Sequence, residues 1–597
     1  MPVRNEKGIK MKGADVIVKM LEQYDVKVIF GVPGDTSIPL YEALHDSGGD
    51  LRHVMARDER SASFMADAYA RISHKPGICE CPSGAGALYS LPGVAEADAS
   101  SVPVILLTSD NPMNGEGKKT ITELDCQRLF EPVTKWSCLV KDISRIPEVI
   151  RRAFRIATTG RPGAVHLAFP QECLKGEYPE TGHDIYGEPE CCTYPAFRTR
   201  GSRAGLESLA ALLLEKGKKT VIIAGGGAKH SQAEEEIRAL AEFMGIPVVT
   251  TISGQGIMPD HHPLALGVIG DNGLHPHAIR AVEESDTLFY IGCKIGSVST
   301  IKWTLPSFKP ERNILQVDLD PVMLGNNYRN RISVAGDAGL VLKDLLVLLD
   351  KAGTMDGPKE WVADLNRERR QFWQESETDF LSQAFPIKPQ RVISSINRHL
   401  GPGSIVIADA GTPTPYITRY LRLCDNRSTF IIPRAFGGLG YTIPALAGAY
   451  FARPDAVLVG MFGDGSLGMS AGELETLVRL NIRAVLIHFN NACFGWIKAL
   501  QAMHTRDKFF SVDFLTGDPA KVAQGFGMEA HRISSPDMLD CALENAFSTD
   551  GPVFLDVVTE SEVTALPPVY SWIHKLNGNT KGFLEKETLK NKKSDMK

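Results

Sequence analysis

Two oxygen-bearing side chains and a glycine-flanked turn form the sharpest chemical signal in the chain. Gly463-Asp464-Gly465 is followed by 24 residues beginning with Ser466, and then by Asn490-Asn491. Asp and Asn offer hard oxygen donors of the kind Mg²⁺ takes, and such an ion draws several of its six oxygens from phosphate and water. Gly463 and Gly465 would let backbone approach a phosphate with no Cβ in the way. A Mg²⁺-bound diphosphate therefore fits the pattern better than a free anion does.

Taken singly, Gly-Asp-Gly is also an ordinary strand-to-helix turn with a capping aspartate. Its setting sharpens it. The apolar run Ala456-Val-Leu-Val-Gly-Met-Phe462 reads as a buried strand, a helix is expected at about Ala471–Leu480, and Ala484-Val-Leu-Ile-His-Phe489 reads as the next strand. One β-α-β unit of this kind returns Asp464 and Asn491 to the same carboxyl edge of a parallel sheet. That edge is where open α/β sheets bind ligands.

The same alternation of short apolar runs and amphipathic stretches covers the rest of the chain. Examples are Val26–Phe30, Gly77–Cys81 and Val102–Thr108, then Thr220–Ala224, Pro247–Thr251, Leu288–Gly292 and Ile314–Asp318, and finally Ser404–Asp409 and Val553–Val558. Strands separated by helices predict an α/β fold of three consecutive parallel-sheet domains. The boundaries read as an N-terminal domain at 9–177, a Gly/Pro-rich linker at 178–204, and a central Rossmann-like domain at 205–350. A charged linker at 351–387, a C-terminal domain at 388–566 and a tail at 567–597 complete the chain. Ala66-Asp-Ala-Tyr-Ala-Arg71 is echoed by Ala447-Gly-Ala-Tyr-Phe-Ala-Arg453; one short echo reads as chance unless something else pairs the two sections.

Composition excludes several classes of function. In 597 residues, Lys+Arg 65 against Asp+Glu 71 gives a net charge of −6, without the basic excess of a nucleic-acid binder. No apolar run is long enough to span a membrane, and the first residues have no apolar signal core. The 11 cysteines show neither disulfide-framework nor zinc-ligand spacing. Reduced thiols and a cytoplasmic location are expected. Ala224-Gly-Gly-Gly-Ala-Lys229 follows a strand but lacks the third glycine and the later acid of a dinucleotide fingerprint.

The spacing from Gly463 to Asn491 resembles the thiamine diphosphate (ThDP) signature of the acetolactate synthase and 2-oxo-acid decarboxylase superfamily. The resemblance spans nearly the whole chain. Gly31-Val-Pro-Gly34, Arg57–Arg71, Ser83-Gly-Ala-Gly86, Pro132–Trp136 and Gly160–Leu167 resemble the family's pyrimidine-binding domain. Asp409-Ala-Gly411-Thr412 and Arg434–Pro444 resemble the loops that hold the diphosphate and the two rings.

The resemblance implies that Asp464 and Asn491 bind Mg²⁺ through side chains and Cys493 through its carbonyl. Ser466, Gly463, Gly465, Gly411, Thr412 and Ser83 would contact the cofactor. Gly437 would hold the pyrimidine amino group through its carbonyl, and Leu439 would be the wedge that bends the cofactor. Glu59 would be the acid that hydrogen-bonds the aminopyrimidine. Glu59 and Asp464 would serve one cofactor from different chains, which implies an obligate homodimer or homotetramer. The implied activity is cleavage of a 2-oxo acid with loss of CO₂, leaving an enamine whose acyl unit passes to a carbonyl acceptor.

Departures from the family keep other outcomes open. Gln171 stands where acetolactate synthases carry a lysine, Ile121-Thr122 where they carry Phe-Gln, and Leu500 and Met503 where they carry Trp and Arg. Asp35 matches an acid used by simple decarboxylases, which would release an aldehyde. Those enzymes also carry a His-His pair, which does not occur near 115–125 here, and a later Glu where this chain has Ile497. Trp496, Ile497 and Leu500 are either a pocket wall or core. Lys294–Lys302 replaces the Arg-Phe-Asp-Asp-Arg stretch of FAD-binding relatives, which counts against FAD, while Asp318 and Asp320 keep a place for it. A catalytically silent protein of this fold and a flavin or nucleotide oxidoreductase are the alternatives from other classes.

Overall fold

The structure, a computed structural model, describes residues 11–179, 184–273, 275–351, 357–505 and 508–577. Its framework is three six-stranded sheets. The first comprises β1 (Val28–Gly31), β2 (Arg52–Met55), β3 (Gly77–Pro82), β4 (Val104–Ser109), β5 (Trp136–Leu139) and β6 (Val165–Phe169), in the order β2-β1-β3-β4-β6-β5. The second comprises β7 (Thr220–Ala224), β8 (Val248–Thr250), β9 (Ala265–Val268), β10 (Thr287–Ile291), β11 (Asn313–Asp318) and β12 (Ile332–Ala335), in the order β12-β11-β10-β7-β8-β9. The third comprises β13 (Ile405–Ala408), β14 (Thr429–Ile431), β15 (Leu458–Gly463), β16 (Ala484–Asn490), β17 (Glu529–Ile533) and β18 (Pro552–Val558), in the order β14-β13-β15-β16-β18-β17.

Every ladder is parallel. Parallel sheets need helices on both faces, so their strands are apolar on both sides. The inner strands β4, β7, β10, β13 and β16 are accordingly buried along their whole length. The three α/β domains expected from the alternation are present.

Numbered within themselves, the first and third sheets share the order 2-1-3-4-6-5. The helix Glu59–Ser73 lies between β2 and β3, and the helix Thr442–Ala452 lies at the equivalent place between β14 and β15. These two helices carry the sequence echo, and they pack on each other. A Cβ at Gly448 would fall 2.1 Å from the carbonyl oxygen of Met65, so the helices meet backbone to backbone. The echo thus occupies corresponding positions in two copies of one topology, which a reading as chance does not explain.

The helix expected at about 471–480 is present as Glu473–Arg479, and a further short helix, Asp464–Ser470, precedes it. This additional helix begins at Asp464 itself, in a Gly- and Ser-rich stretch of poor intrinsic helix propensity. Packing supplies what propensity lacks: Leu467 and Ser470 are buried, and a Cβ at Gly440 would lie 3.0 Å from that of Met469.

Residues 567–577, grouped above with the tail, include the helix Tyr570–Asn577. Its Trp572 ring lies 4.4 Å from that of Trp496. Ser571 donates to Asp271 of the central domain through its backbone N–H at 2.7 Å and its hydroxyl at 3.0 Å. Residues 578–597 lie outside the described residues, as does the charged segment that begins at Glu585.

Candidate active site

The carboxyl ends of β13, β15, β16 and β18 converge on one cavity of about 390 Å³. It lies where the strand order turns around β13, the crevice in which doubly wound sheets hold ligands. Gly411 and Thr412 follow β13, Gly463–Ser466 end and follow β15, and Asn491 and Cys493 follow β16; all line the cavity together with Gly437 and Leu439.

Asp464 and Asn491 are adjacent. The Asn491 N–H donates to Asp464 Oδ2 at 3.1 Å. Ala492 follows with φ of +55°, a left-handed conformation that costs a non-glycine residue about 1–3 kcal/mol. Beyond this turn, Cys493 Sγ donates back to Asn491 Oδ1 at 3.2 Å. Burial pushes the Cys493 thiol up to about 12. Among the described residues no group of three or more His, Cys, Asp or Glu side chains could hold a metal ion. An ion between Asp464 and Asn491 would take its remaining oxygens from backbone, water or phosphate.

The glycines act in different ways. Gly411 (φ +114°) and Gly437 (φ +67°) hold conformations that other residues rarely adopt, and little protein stands where their Cβ atoms would project. That leaves a cradle a ligand can fill. Gly465 is needed for another reason: a Cβ there would lie 2.5 Å from the Phe494 ring and 3.4 Å from Leu439. Leu439 is half-buried at the cavity wall, so it is not an ordinary core leucine. Trp496 and Ile497 also line the cavity, and Ile497 is 46% exposed. Leu500 packs instead in a small cluster with Trp572.

A layer of buried polar groups supports this shell. Asp409 accepts the N–H groups of Tyr441 at 2.8 Å and Thr442 at 3.4 Å, while burial pushes its carboxyl up to about 7. His488 is fully buried, with Nδ1 2.9 Å from Asp556 Oδ1 and Nε2 3.5 Å from Asp464 Oδ1. Burial works against its charged form, but the two carboxylates outweigh this and raise its pKa.

Glu562, four residues beyond β18, was not singled out by the sequence. It is 2% exposed, lines the cavity, and accepts the Asn491 side-chain amide at 2.6 Å. Burial pushes its carboxyl up to about 7. No spacing rule marks it, because its partner is 71 residues earlier and the two meet only when β16 and β18 pair.

Glu59, Asp35 and Ser83 lie at the edge of the first sheet and do not line this cavity. Glu59 opens the helix Glu59–Ser73 and is 9% exposed, and burial raises its pKa. Its Oε1 faces Gly86, where a Cβ would lie only 2.9 Å away. The Ser83 hydroxyl pairs with that of Thr122 at 2.8 Å, and the Ser83 N–H donates to Thr36 Oγ1 at 3.1 Å. Asp35 is exposed and accepts the N–H of Thr36 at 2.9 Å. Gln171 is buried and braces the same loop, donating to the carbonyls of Thr36 at 2.7 Å and Asp110 at 3.2 Å.

The two domains touch within the chain. Glu96, in the helix Ala85–Ala99, accepts the backbone N–H groups of Arg434, Ala435 and Phe436 at 3.0, 3.1 and 2.8 Å. It thereby anchors the loop that presents Gly437 and Leu439.

Comparison with known proteins agrees with this geometry. The family described as thiamine pyrophosphate enzyme matches in three parts: its N-terminal TPP binding domain at residues 11–129, its central domain at 208–345, and its C-terminal TPP binding domain at 409–557. A probable acetolactate synthase large subunit of Methanocaldococcus jannaschii is 36% identical over 94% of this chain and 93% of its own length. The corresponding protein of Methanococcus aeolicus is 33% identical over 94% of each chain. An acetolactate synthase of Mycobacterium bovis is 30% identical over 94% of this chain and 90% of its own.

Proposed function

We propose, for a chain that belongs to the thiamine diphosphate-dependent acetolactate synthase superfamily, that it is a ThDP- and Mg²⁺-dependent carboligase: it cleaves a 2-oxo acid with loss of CO₂ and passes the acyl unit to a second carbonyl compound. The observation that carries the reading is the pairing of Asp464 with Asn491 at the rim of a cavity walled by Leu439, Phe494, Trp496 and Ile497.

When bound, ThDP supplies a thiazolium carbon that adds to the substrate carbonyl and accepts the electrons of the broken C–C bond. The protein does the rest. Asp464, Asn491 and the Cys493 carbonyl are suited to hold Mg²⁺. Gly463, Gly465, Ser466, Gly411 and Thr412 line the space for the diphosphate, with Ser83 reaching it from a second protomer. The Gly437 carbonyl and the Leu439 side chain orient the rings. Phe494, Trp496 and Ile497 would present an apolar wall to the reacting face, which favours transfer to a carbonyl over protonation and release of an aldehyde.

Glu59 of a second protomer would hold a proton at its carboxyl more tightly than an exposed glutamate, as its buried position requires. This makes the enzyme an obligate homo-oligomer with its site between protomers. All 11 cysteines are free, in keeping with a cytoplasmic setting, and among the described residues no helix is long and apolar enough to cross a membrane. For FAD the residues divide: Asp318 and Asp320 line a second cavity of about 360 Å³, but so does Lys294, which donates to the Ala99 carbonyl at 2.6 Å.

The test is to supply ThDP, Mg²⁺ and a panel of 2-oxo acids, singly and with aldehydes, and to follow CO₂ and products by mass spectrometry. A carboligation product confirms the reading. Free aldehyde as the sole product, insensitive to added acceptor, would make the protein a simple decarboxylase and give Asp35 the later proton steps.

A further inference from the structure

We infer that Glu562 is a positioning residue that fixes the side-chain amide of Asn491 in the orientation a metal ion needs. The inference rests on the reading of Asp464 and Asn491 as ion ligands. An asparagine amide has two ends of nearly equal shape, and only the Oδ1 end can bind a hard cation. Whichever neighbour takes the Nδ2 end decides where the oxygen points.

Here that neighbour is Glu562, whose Oε1 accepts from Asn491 Nδ2 at 2.6 Å. Thr412 lines the same cavity as this carboxyl. A single buried group from beyond the end of β18 is therefore bonded to the loop that follows β16, on the wall of the cavity that Thr412 of the loop after β13 also lines. The other oxygen, Oε2, is buried without a hydrogen-bond partner. It lies where a Cβ at Gly495 would come within 2.2 Å, against the first residue of the helix Gly495–Thr505. Gly495 thus makes the room for the carboxyl, and the partial positive charge of that helix end favours an acid there.

Outer partners of metal ligands of this kind are worth about 10–100-fold in metal affinity. The experiment is a titration of the full-length protein with Mn²⁺ in the presence of ThDP, with bound ion read by electron paramagnetic resonance and no turnover required. Glu562→Ala should raise the half-saturating Mn²⁺ at least tenfold. Glu562→Gln keeps an oxygen that can accept the Asn491 amide, and should recover it to within about threefold. Gly495→Ala retains the acid but displaces it, and should shift the titration in the same direction; it also serves if Glu562→Ala does not fold.

Asp464→Ala is the control. If it abolishes ion binding while Glu562→Ala stays within twofold of the unaltered protein, Glu562 does not position Asn491 and the inference falls alone. Loss of thermal stability in Glu562→Ala with an unchanged titration overturns it in the same way. If Asp464→Ala leaves ion binding intact, the ion site itself is wrong and both readings fall.

Discussion

Tyr441 donates its hydroxyl to Asp67 Oδ2 at 2.6 Å, and neither side chain has any solvent exposure. Asp67 also receives Arg71 Nε at 2.7 Å. The bond therefore joins the helix that begins with Glu59 to the residue two places after Leu439. It couples the acid expected to serve one active site to the loop expected to build another.

Removing the phenol leaves a buried carboxylate short of one donor, which costs about 1–3 kcal/mol. Tyr441→Phe should lower the free energy of urea unfolding by that amount with little change in shape. Asp67→Ala should cost more, about 3–5 kcal/mol, because it strands the Arg71 charge in a dry interface. Equal stabilities for the two variants would show that Arg71 finds another partner, with Glu96 Oε1, 3.8 Å away, the nearest acid recorded.

Close packing of the same two helices gives a second prediction. Gly448 has no room for a methyl group, since the obstacle is the Met65 backbone and not a movable side chain. Gly448→Ala should force the helices apart and destabilise the protein by about 1–3 kcal/mol, although alanine favours helix by roughly 1 kcal/mol. A thermal midpoint unchanged or raised in differential scanning calorimetry would mean that the interface is softer than the backbone contact implies.

The Glu59 carboxyl gives a pH dependence with a definite sign. Burial raises its pKa above the ordinary value of 4.5. A carboxyl whose folded-state pKa exceeds its unfolded one favours the fold below the unfolded value, and that contribution disappears as pH rises through the folded value. Glu59→Gln has no such titration. Relative to the unaltered protein it should therefore gain stability as pH is raised from about 4 through the range above 4.5, and urea midpoints measured in pairs across that range should diverge. The same variant should keep ThDP binding and lose turnover. Parallel midpoints at every pH would place Glu59 in water rather than in a dry site, and unchanged turnover would remove its catalytic role.

How far the sequence predicted these features depends on whether they are local. Runs such as Thr220–Ala224 and Ala484–Phe489 are apolar at all but one position each, and the strands fall within a residue or so of them. Strands β2 and β17 escape that signal, since β2 lies at a sheet edge with mixed burial and β17 likewise alternates irregularly. Asp464 and Asn491 were legible because one β-α-β unit fixes the distance between their ends. Glu562, Glu96 and the His488–Asp556 pair were not, since each meets its partner only through strand pairing or contact between domains. Gln171 was noticed only as a missing lysine, and the structure gives it a bracing task under the Asp35 loop.

Glu96 provides the most direct link between the N-terminal domain and the C-terminal cavity. One carboxylate takes three successive N–H groups of a loop whose next residues are Gly437 and Leu439. Glu96 is 2% exposed, so the loop has no water to replace those bonds. Charge-assisted bonds of this kind are worth about 1.5–3 kcal/mol each when one is lost. Glu96→Ala should loosen the loop, lower the unfolding free energy by several kcal/mol, and weaken ThDP binding although residue 96 does not line the cavity. Glu96→Gln keeps one acceptor oxygen and should fall between the two. The discriminating measurement is hydrogen exchange of residues 434–441 in the ThDP-free protein. Faster exchange confined to that loop is the expected result, whereas unchanged protection there in Glu96→Ala would mean that Asp409, gripping the far end of the loop through Tyr441 and Thr442, suffices to hold it.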